Sequence, residues 1–211
     1  MSTGRLDYFA DTQADYNGLW NAGFSDRRAD GTIAYITPNW GGFTGAVALV
    51  PGENSEANGL ADGYSLAGMY SNGGLYLAAA YESADEDMDG LNGAAEPGDL
   101  SQWRVGGEYA FSTIKIGALY ENEKLESQLG SGDLSKVDKW LISGSWALGK
   151  NDLKASYFQW KDDEIVNNPE NKGWNLGWDY NFSKRSQFYA LYTAGKIEMD
   201  NVKDNERQVI S

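Results

Sequence analysis

The sequence predicts an all-β fold, an antiparallel up-and-down meander of about ten strands of the kind that builds a transmembrane β-barrel. Three observations carry this. Apolar and polar residues alternate, as at Trp174, Leu176, Trp178, Tyr180 and Phe182 against Asn175, Gly177, Asp179 and Asn181, and a period of two puts the sets on opposite faces of a strand. The connections alternate between short turns and long loops, the pattern of a barrel with tight turns at one rim and extended loops at the other. The apolar face is sorted by depth, with aromatics towards both strand ends and small or aliphatic residues between, as two bilayer interfaces around a hydrocarbon band require.

Residues 1–30 show no sustained period and read as a loop segment, mixing Asp7, Asp11, Asp15, Asp26 and Asp30 with Tyr8, Phe9, Tyr16, Trp20 and Phe24. Residues 31–193 hold the strands. Thr32 to Thr37 and Phe43 to Val50 pair across Pro38-Asn39-Trp40-Gly41-Gly42, whose proline and two glycines break the run. After a loop from Pro51 to Gly63, Tyr64 to Tyr70 and Leu75 to Glu82 pair across the hairpin turn Ser71-Asn72-Gly73-Gly74. A longer loop covers Ser83 to Ser101. Gln102 to Phe111 then pairs with Ile114 to Glu121 across Ser112-Thr113. Lys139 to Leu148 pairs with Leu153 to Trp160 across Gly149 to Asp152, between loops Asn122–Asp138 and Lys161–Lys172. The last hairpin, Gly173 to Thr193, turns at Ser183-Lys184-Arg185-Ser186. Residues 194–211 are polar and are expected to form an external loop without another strand. The sheet is therefore expected to end in open edges along Thr32–Thr37 and Gln187–Thr193, an aggregation liability in water.

The aromatics form two sets. Trp40, Phe43, Tyr70, Tyr109, Phe111, Trp146, Tyr180 and Phe182 lie near the short turns; Tyr64, Tyr81, Trp103, Tyr120, Trp140, Tyr157 and Trp174 lie near the long loops. Between them stand Gly45, Val47, Leu66, Leu77, Ala79, Val105, Ile116, Ala118 and Ile142. The opposite face carries Arg104, Glu108, Lys115, Glu121, Lys139, Lys154, Asn175 and Asp179, with Ser143, Ser145, Ser156 and Asn181. Charges of both signs cost several kcal/mol each in a sealed interior and little against water, so this face reads as a pore wall.

Composition narrows the function classes. No stretch approaches the 18 or more apolar residues of a spanning helix, and a mean hydropathy of -0.54 does not separate a barrel from a soluble sheet. Cysteine and histidine are both absent, which removes disulfides, thiolate chemistry and Ser-His or Cys-His catalysis. No enzyme and no cofactor is expected. A net charge of -14 argues against nucleic acid, whose phosphates need Lys and Arg. Residues 1–4 show neither a basic region nor an apolar one, so no signal peptide is read there; an exported protein needs one, and the expectation is a processed chain or a fragment.

Two motifs bring a resemblance to the general diffusion porins of Gram-negative outer membranes, the trimeric 16-strand type. Arg28-Ala29-Asp30-Gly31-Thr32-Ile33-Ala34-Tyr35-Ile36-Thr37-Pro38, followed by Gly42-Phe43-Thr44-Gly45, is similar to the segment after that family's constriction loop. Ser183-Lys184-Arg185-Ser186 with Tyr189 resembles the turn of its next-to-last hairpin. The resemblance implies that these strands correspond to the sixth to fifteenth of a barrel, with the first five and the closing strand absent. It implies a channel for small hydrophilic solutes, a homotrimer for the intact parent, and contact with outer-membrane lipid and lipopolysaccharide. It puts Asp7, Asp11 and Asp15 on the constriction loop. A second function class stays open at this point, a soluble carbohydrate-binding β-sandwich using surface Trp and Tyr as sugar platforms, although depth-sorted aromatics disfavour it.

Asp85 to Glu96 matches the calcium-loop pattern, with Asp85, Asp87 and Asp89 at positions 1, 3 and 5, Gly90 at 6 and Glu96 at 12. Its flanks are a strand and Pro97-Gly98 rather than helices, and Asn92 stands where the motif wants an apolar residue. It reads as a solvated charge run, and no metal site is assigned. The acidic loops predict a negative vestibule and a cation preference.

Overall fold

Backbone pairing follows chain order throughout. A computed structural model describes residues 5–10, 12, 14–15, 31–51, 61–85, 98–127, 132–165, 168–200 and the backbone of 202–210. Its strands are β1 (Ile33–Ile36), β2 (Phe43–Val50), β3 (Gly63–Asn72), β4 (Leu75–Ala84), β5 (Gly98–Phe111), β6 (Ile114–Ser127), β7 (Asp133–Leu148), β8 (Asn151–Asp162), β9 (Glu170–Ser183), β10 (Ser186–Met199) and β11 (Val202–Ile210). They form one sheet in the order β1 to β11, every neighbouring pair antiparallel. The meander, the hairpins and the nearest-neighbour order expected from the sequence are all present.

The sheet goes further than the hydropathy pattern did. β10 runs on to Met199, and β11 pairs with it from Tyr192↔Ile210 to Met199↔Val202, where the polar tail was expected to be loop. The far edge among the described residues is therefore β11 rather than Gln187–Thr193. β6 and β7 likewise extend through most of Asn122–Asp138, paired as Asn122↔Asp138, Lys124↔Lys136 and Glu126↔Asp133. Polar residues predominate in these stretches of sequence with no regular alternation, so no period of two marks them; backbone pairing makes them strand. Ion pairs knit them: Lys124 to Glu126 and Asp133, and Lys172 and Lys196 to Glu198. Hydrogen bonds from Lys172 and Lys196 hold the Glu198 carboxyl down to about 2.

Tight turns close the opposite rim. Gly73 (φ 56) and Gly149 (φ 67) supply the left-handed backbone that two-residue hairpins need, and Ser112 (φ 55) adopts it without being glycine.

One face of the sheet is apolar and open. At the long-loop end an aromatic row crosses it: Tyr64 meets Tyr81 at 5.9 Å between ring centroids, Trp103 meets Tyr120 at 4.9 Å, Tyr120 meets Trp140 at 4.5 Å and Trp174 meets Tyr192 at 5.0 Å. At the turn end Tyr109 lies by Phe111, and Trp178 by Tyr180 and Phe188. The band between consists of exposed Val47, Leu66, Leu77, Val105, Ile116, Ile142 and Leu176. Aliphatic side chains exposed so continuously have no place against water.

Apart from Ala194, which is level with Trp174, the buried apolar residues among those described lie on the other face. Leu6, Leu119, Leu141 and Phe158 form one cluster, with Trp160 against it. Phe9, Ala14 and Leu191 form a second. Both contain residues of the segment that precedes the strands, so the core consists of that segment packed on the inner wall.

Candidate functional site

Strand register arranges the inner wall in rows across β5 to β10. Nearest the long loops is a charged row, Arg104↔Glu121↔Lys139, continuing to Trp160 and Asn171. The next row is apolar: Gly106, Leu119, Leu141, Phe158 and Gly173. Then comes a polar row of Glu108, Gly117, Ser143, Ser156, Asn175 and Thr193, and towards the turns a row of Ala110, Lys115, Ser145, Lys154, Gly177 and Leu191.

The described residues of the segment, 5–10, 12 and 14–15, lie on the two middle rows, and Phe9 reaches on to the row nearer the turns. The segment is wound into turns, with Thr12 N–H donating to Phe9 O and Asp15 N–H to Thr12 O. Leu6 enters the apolar row and Phe9 reaches Gly177 and Leu191. The wall makes room with glycine. A Cβ on Gly106 would stand 2.7 Å from a Leu6 methyl, and one on Gly177 would stand 2.7 Å from the Phe9 ring. Polar contacts fix the backbone: Ser143 Oγ donates to Leu6 O at 2.7 Å and Asn175 Nδ2 to Ala14 O at 3.4 Å.

At the start of the segment, Tyr8 Oη donates to Glu108 Oε2 at 2.7 Å, Arg5 Nη2 lies 3.4 Å from Glu108 Oε1, and the Arg5 guanidinium stacks 4.0 Å over the Tyr76 ring. Burial, together with the hydrogen bond to and charge of Glu108, pushes the Tyr8 phenol above its ordinary range. The segment thus touches every strand from β4 to β10. A flat sheet would spread those strands over about 29 Å at the usual spacing, whereas ten residues in turns reach about 15–20 Å. The sheet must therefore curl around the segment, and the face that carries it is concave.

The sequence reading set the wall charges against water, whereas five of them, Arg104, Glu108, Glu121, Lys139 and Asp179, are buried. Arg104, Glu121 and Lys139 are 3%, 0% and 3% exposed. They are satisfied by one another: Glu121 pairs closely with Arg104, accepts from Lys139 Nζ at 2.8 Å and from Gln102 Nε2 at 3.0 Å, and Lys139 also reaches Glu123 at 3.3 Å. The physical reason is register. Opposite charges on three strands come level, which no single strand's pattern reveals. Arg104 and Glu108, four residues apart on β5, turn to different partners, Glu121 and the inner segment.

The remaining residues singled out from the sequence also have places. Lys154 pairs with Asp179 at 2.5 Å on the concave face, Asn175 is buried under the segment, and Lys115 is exposed. Asp7 is buried, its Oδ1 accepting Phe9 N–H at 2.8 Å, so it builds the segment's turn; Asp15 is half-buried. Asp11 lies outside the described residues, as do Asp87, Asp89, Gly90 and Glu96 of the calcium-like run, of which only Asp85 is described. Among the described residues no three acidic side chains are grouped to hold a metal ion.

Sequence reasoning missed the anchors Leu6, Tyr8 and Phe9. A signal for them existed: Gly106, Gly117 and Gly177 interrupt the inward set where large polar residues otherwise stand. It also missed Asp162, buried at the base of the β8–β9 loop, which accepts from Ser135 Oγ at 2.6 Å and Glu164 N–H at 3.0 Å.

A sequence model described as Gram-negative porin matches residues 1–198. The chain is 27% identical over 192 residues to outer membrane porin protein 32 of Delftia acidovorans, an alignment covering 89% of this chain and 50% of that protein. It spans about half the length of that curated relative. Among solved structures it is similar to an anion-selective porin from Comamonas acidovorans, with a TM-score of 0.72 at 22% identity over 90% of this chain and 62% of the other. It is also similar to a loop-L8 deletion of OmpT, an outer membrane protein of Vibrio cholerae, with a TM-score of 0.66 at 21% identity over 99% and 71%.

Proposed function

The chain belongs to the Gram-negative porin family, and from that membership we propose that it supplies part of the wall of a water-filled channel for passive diffusion of small hydrophilic solutes and ions. The family is one of the outer membrane, and of channels rather than enzymes. The observation that supports the channel reading best is the division of the sheet: a convex face with two aromatic rows around an aliphatic band, and a concave face of charged and polar rows carrying an inner segment. The sugar-platform alternative loses its footing, because the aromatics are spread along both rims of the strands instead of converging on one platform.

In this reading the convex face meets lipid, and the inner segment narrows the lumen with Asp15 on the constriction loop, beside Asp7 and Asp11. Lys115 and Lys154 line the pore, and buried Asp179 holds Lys154 from behind. Arg104, Glu108, Glu121, Lys139 and Asn175 stand behind its surface as the frame that shapes it. The intact protein is a homotrimer in contact with lipopolysaccharide.

The lipid assignment has a direct test. Ile142→Arg puts a charge in the middle of the aliphatic band and should cost about 2–4 kcal/mol of folding stability in lipid vesicles, read from equilibrium unfolding by tryptophan fluorescence. An unchanged unfolding curve would take this face out of the membrane. The channel itself is tested by reconstituting the purified protein in planar bilayers, where stepwise conductance is expected. Its -14 net charge concentrates cations near the mouth, so the reversal potential across a salt gradient should carry the sign of cation preference. Selectivity like that of the Comamonas acidovorans porin, which is anion-selective, would overturn the charge argument and leave the channel standing.

A further inference from the structure

The cations of the concave face are not equivalent. Arg104 and Lys139 are tied to Glu121, Lys139 also to Glu123, Arg5 to Glu108, and Lys154 to Asp179. Lys115 differs from all of them. Its position on β6 shares the inward set of Gly117 and Leu119, its side chain is exposed, and no described carboxylate pairs with it. Its cross-strand neighbours are Ala110 on β5 and Ser145 on β7, neither of them acidic, and beyond Ser145 in the same row stands Lys154. The nearest acids are engaged elsewhere: Glu108 with Tyr8 and Arg5, Asp179 with Lys154, and Asp152 accepting from Asn181 Nδ2 at 2.8 Å.

We propose that Lys115, with the Ser145 hydroxyl beside it, is a specificity-determining contact for small oxyanions, carboxylates or phosphate, passing the turn-side half of the pore. This rests on the channel reading above. The ammonium supplies three donors and the hydroxyl a fourth, on residues that face each other across one strand spacing, a donor set that suits the oxygens of one small anion. Lys154 reinforces the positive side of the row, its charge already shared with Asp179. The acidic long-loop rim does not cancel this site. Glu126 lies eleven residues further along the same strand from Lys115, about 37 Å at strand rise, and charges are screened beyond roughly 8 Å at physiological salt. The protein then has two opposed electrostatic zones, a cation-gathering mouth and an anion-holding contact at the other end, and its net selectivity is their balance.

The experiment compares reversal potentials of the wild type, Lys115→Gln, Lys115→Glu and Lys115→Arg in planar bilayers under a potassium chloride gradient. Lys136→Gln, which alters a lysine on the convex side of β7, serves as control. Lys115→Gln should raise the cation-to-anion permeability ratio about two- to threefold, as expected for one charge within several ångströms of a wetted path. Lys115→Glu should raise it further, while Lys115→Arg and Lys136→Gln should match the wild type. Inorganic phosphate, added at millimolar concentration on the turn side, should reduce wild-type open-channel current, and Lys115→Gln should abolish that reduction. Because Lys115 is exposed and packs under nothing, the variants should insert as the wild type does, checked by their heat-modifiable gel mobility. A conducting wild type with unchanged ratios in Lys115→Gln and Lys115→Glu overturns the assignment alone. A folded wild type that does not conduct overturns the channel reading, and this one with it.

Discussion

Replacing Glu121 by alanine should cost about 3–5 kcal/mol of stability, the largest effect expected from a single substitution on the concave face. Glu121 is fully buried and holds Arg104, Lys139 and Gln102 at once. Without it two nearly fully buried cations lose the carboxylate they share, while Glu123 stays 3.3 Å from Lys139. Glu121→Gln should lose less, since the amide keeps an acceptor for one of them while giving up the charge. Urea unfolding in detergent micelles measures both. A loss under about 1 kcal/mol for Glu121→Ala would mean that water reaches Arg104 and Lys139 and repays their solvation, as at an exposed ion pair. The wall would then be wetted where the structure shows it closed.

The double replacement Leu6→Ala and Phe9→Ala should detach the inner segment from the wall while leaving the sheet paired. Each side chain is buried and belongs to a cluster, Leu6 with Leu119, Leu141 and Phe158, Phe9 with Ala14 and Leu191. Truncations of this type cost about 2–5 kcal/mol for leucine and 3–5 kcal/mol for phenylalanine. What would remain among the described contacts is Arg5 against Glu108 and Tyr76 and a handful of hydrogen bonds, from Tyr8 to Glu108, Ser143 to Leu6 O and Asn175 to Ala14 O, each contributing about 1 kcal/mol. The segment should therefore leave the wall for much of the time. In planar bilayers the variant should show a larger unitary conductance, and limited proteolysis should cleave within residues 1–15, with the strands protected. Unchanged conductance and a protected segment would show that the two apolar anchors do not hold it. Gly177→Val offers an approach from the wall side, because its side chain would occupy the space now filled by the Phe9 ring.

Most of the fold was legible because a barrel writes its two environments into alternate residues. Trp174 to Phe182 against Asn175 to Asn181 gave face, strand and hairpin at once, and the same alternation elsewhere gave order and turns. Legibility stopped where the environments became alike. Along Asn122–Ser127 and Val202–Ile210 the sequence is mostly polar, the period vanishes, and the strand is seen only in the backbone pairing. Residues 1–30 carried no period at all, so the anchoring of residues 5–15 was hidden as well.

What the sequence by itself determined is the architecture and the character of its faces: an antiparallel meander, convex apolar rims of Trp and Tyr, and a concave charged set. Those follow from local rules, period two and depth sorting, that act within one strand. What only the tertiary structure decided is which charges meet and which meet nothing. Arg104, Glu121 and Lys139 come level through the registers of β5, β6 and β7 and seal one another, while Lys115 comes level with Ala110 and Ser145 and stays open to solvent. Register across strands is set by turns and pairing far from the residues concerned. It is a relation between segments, and the energy of a charge depends on that relation rather than on its own place in the chain.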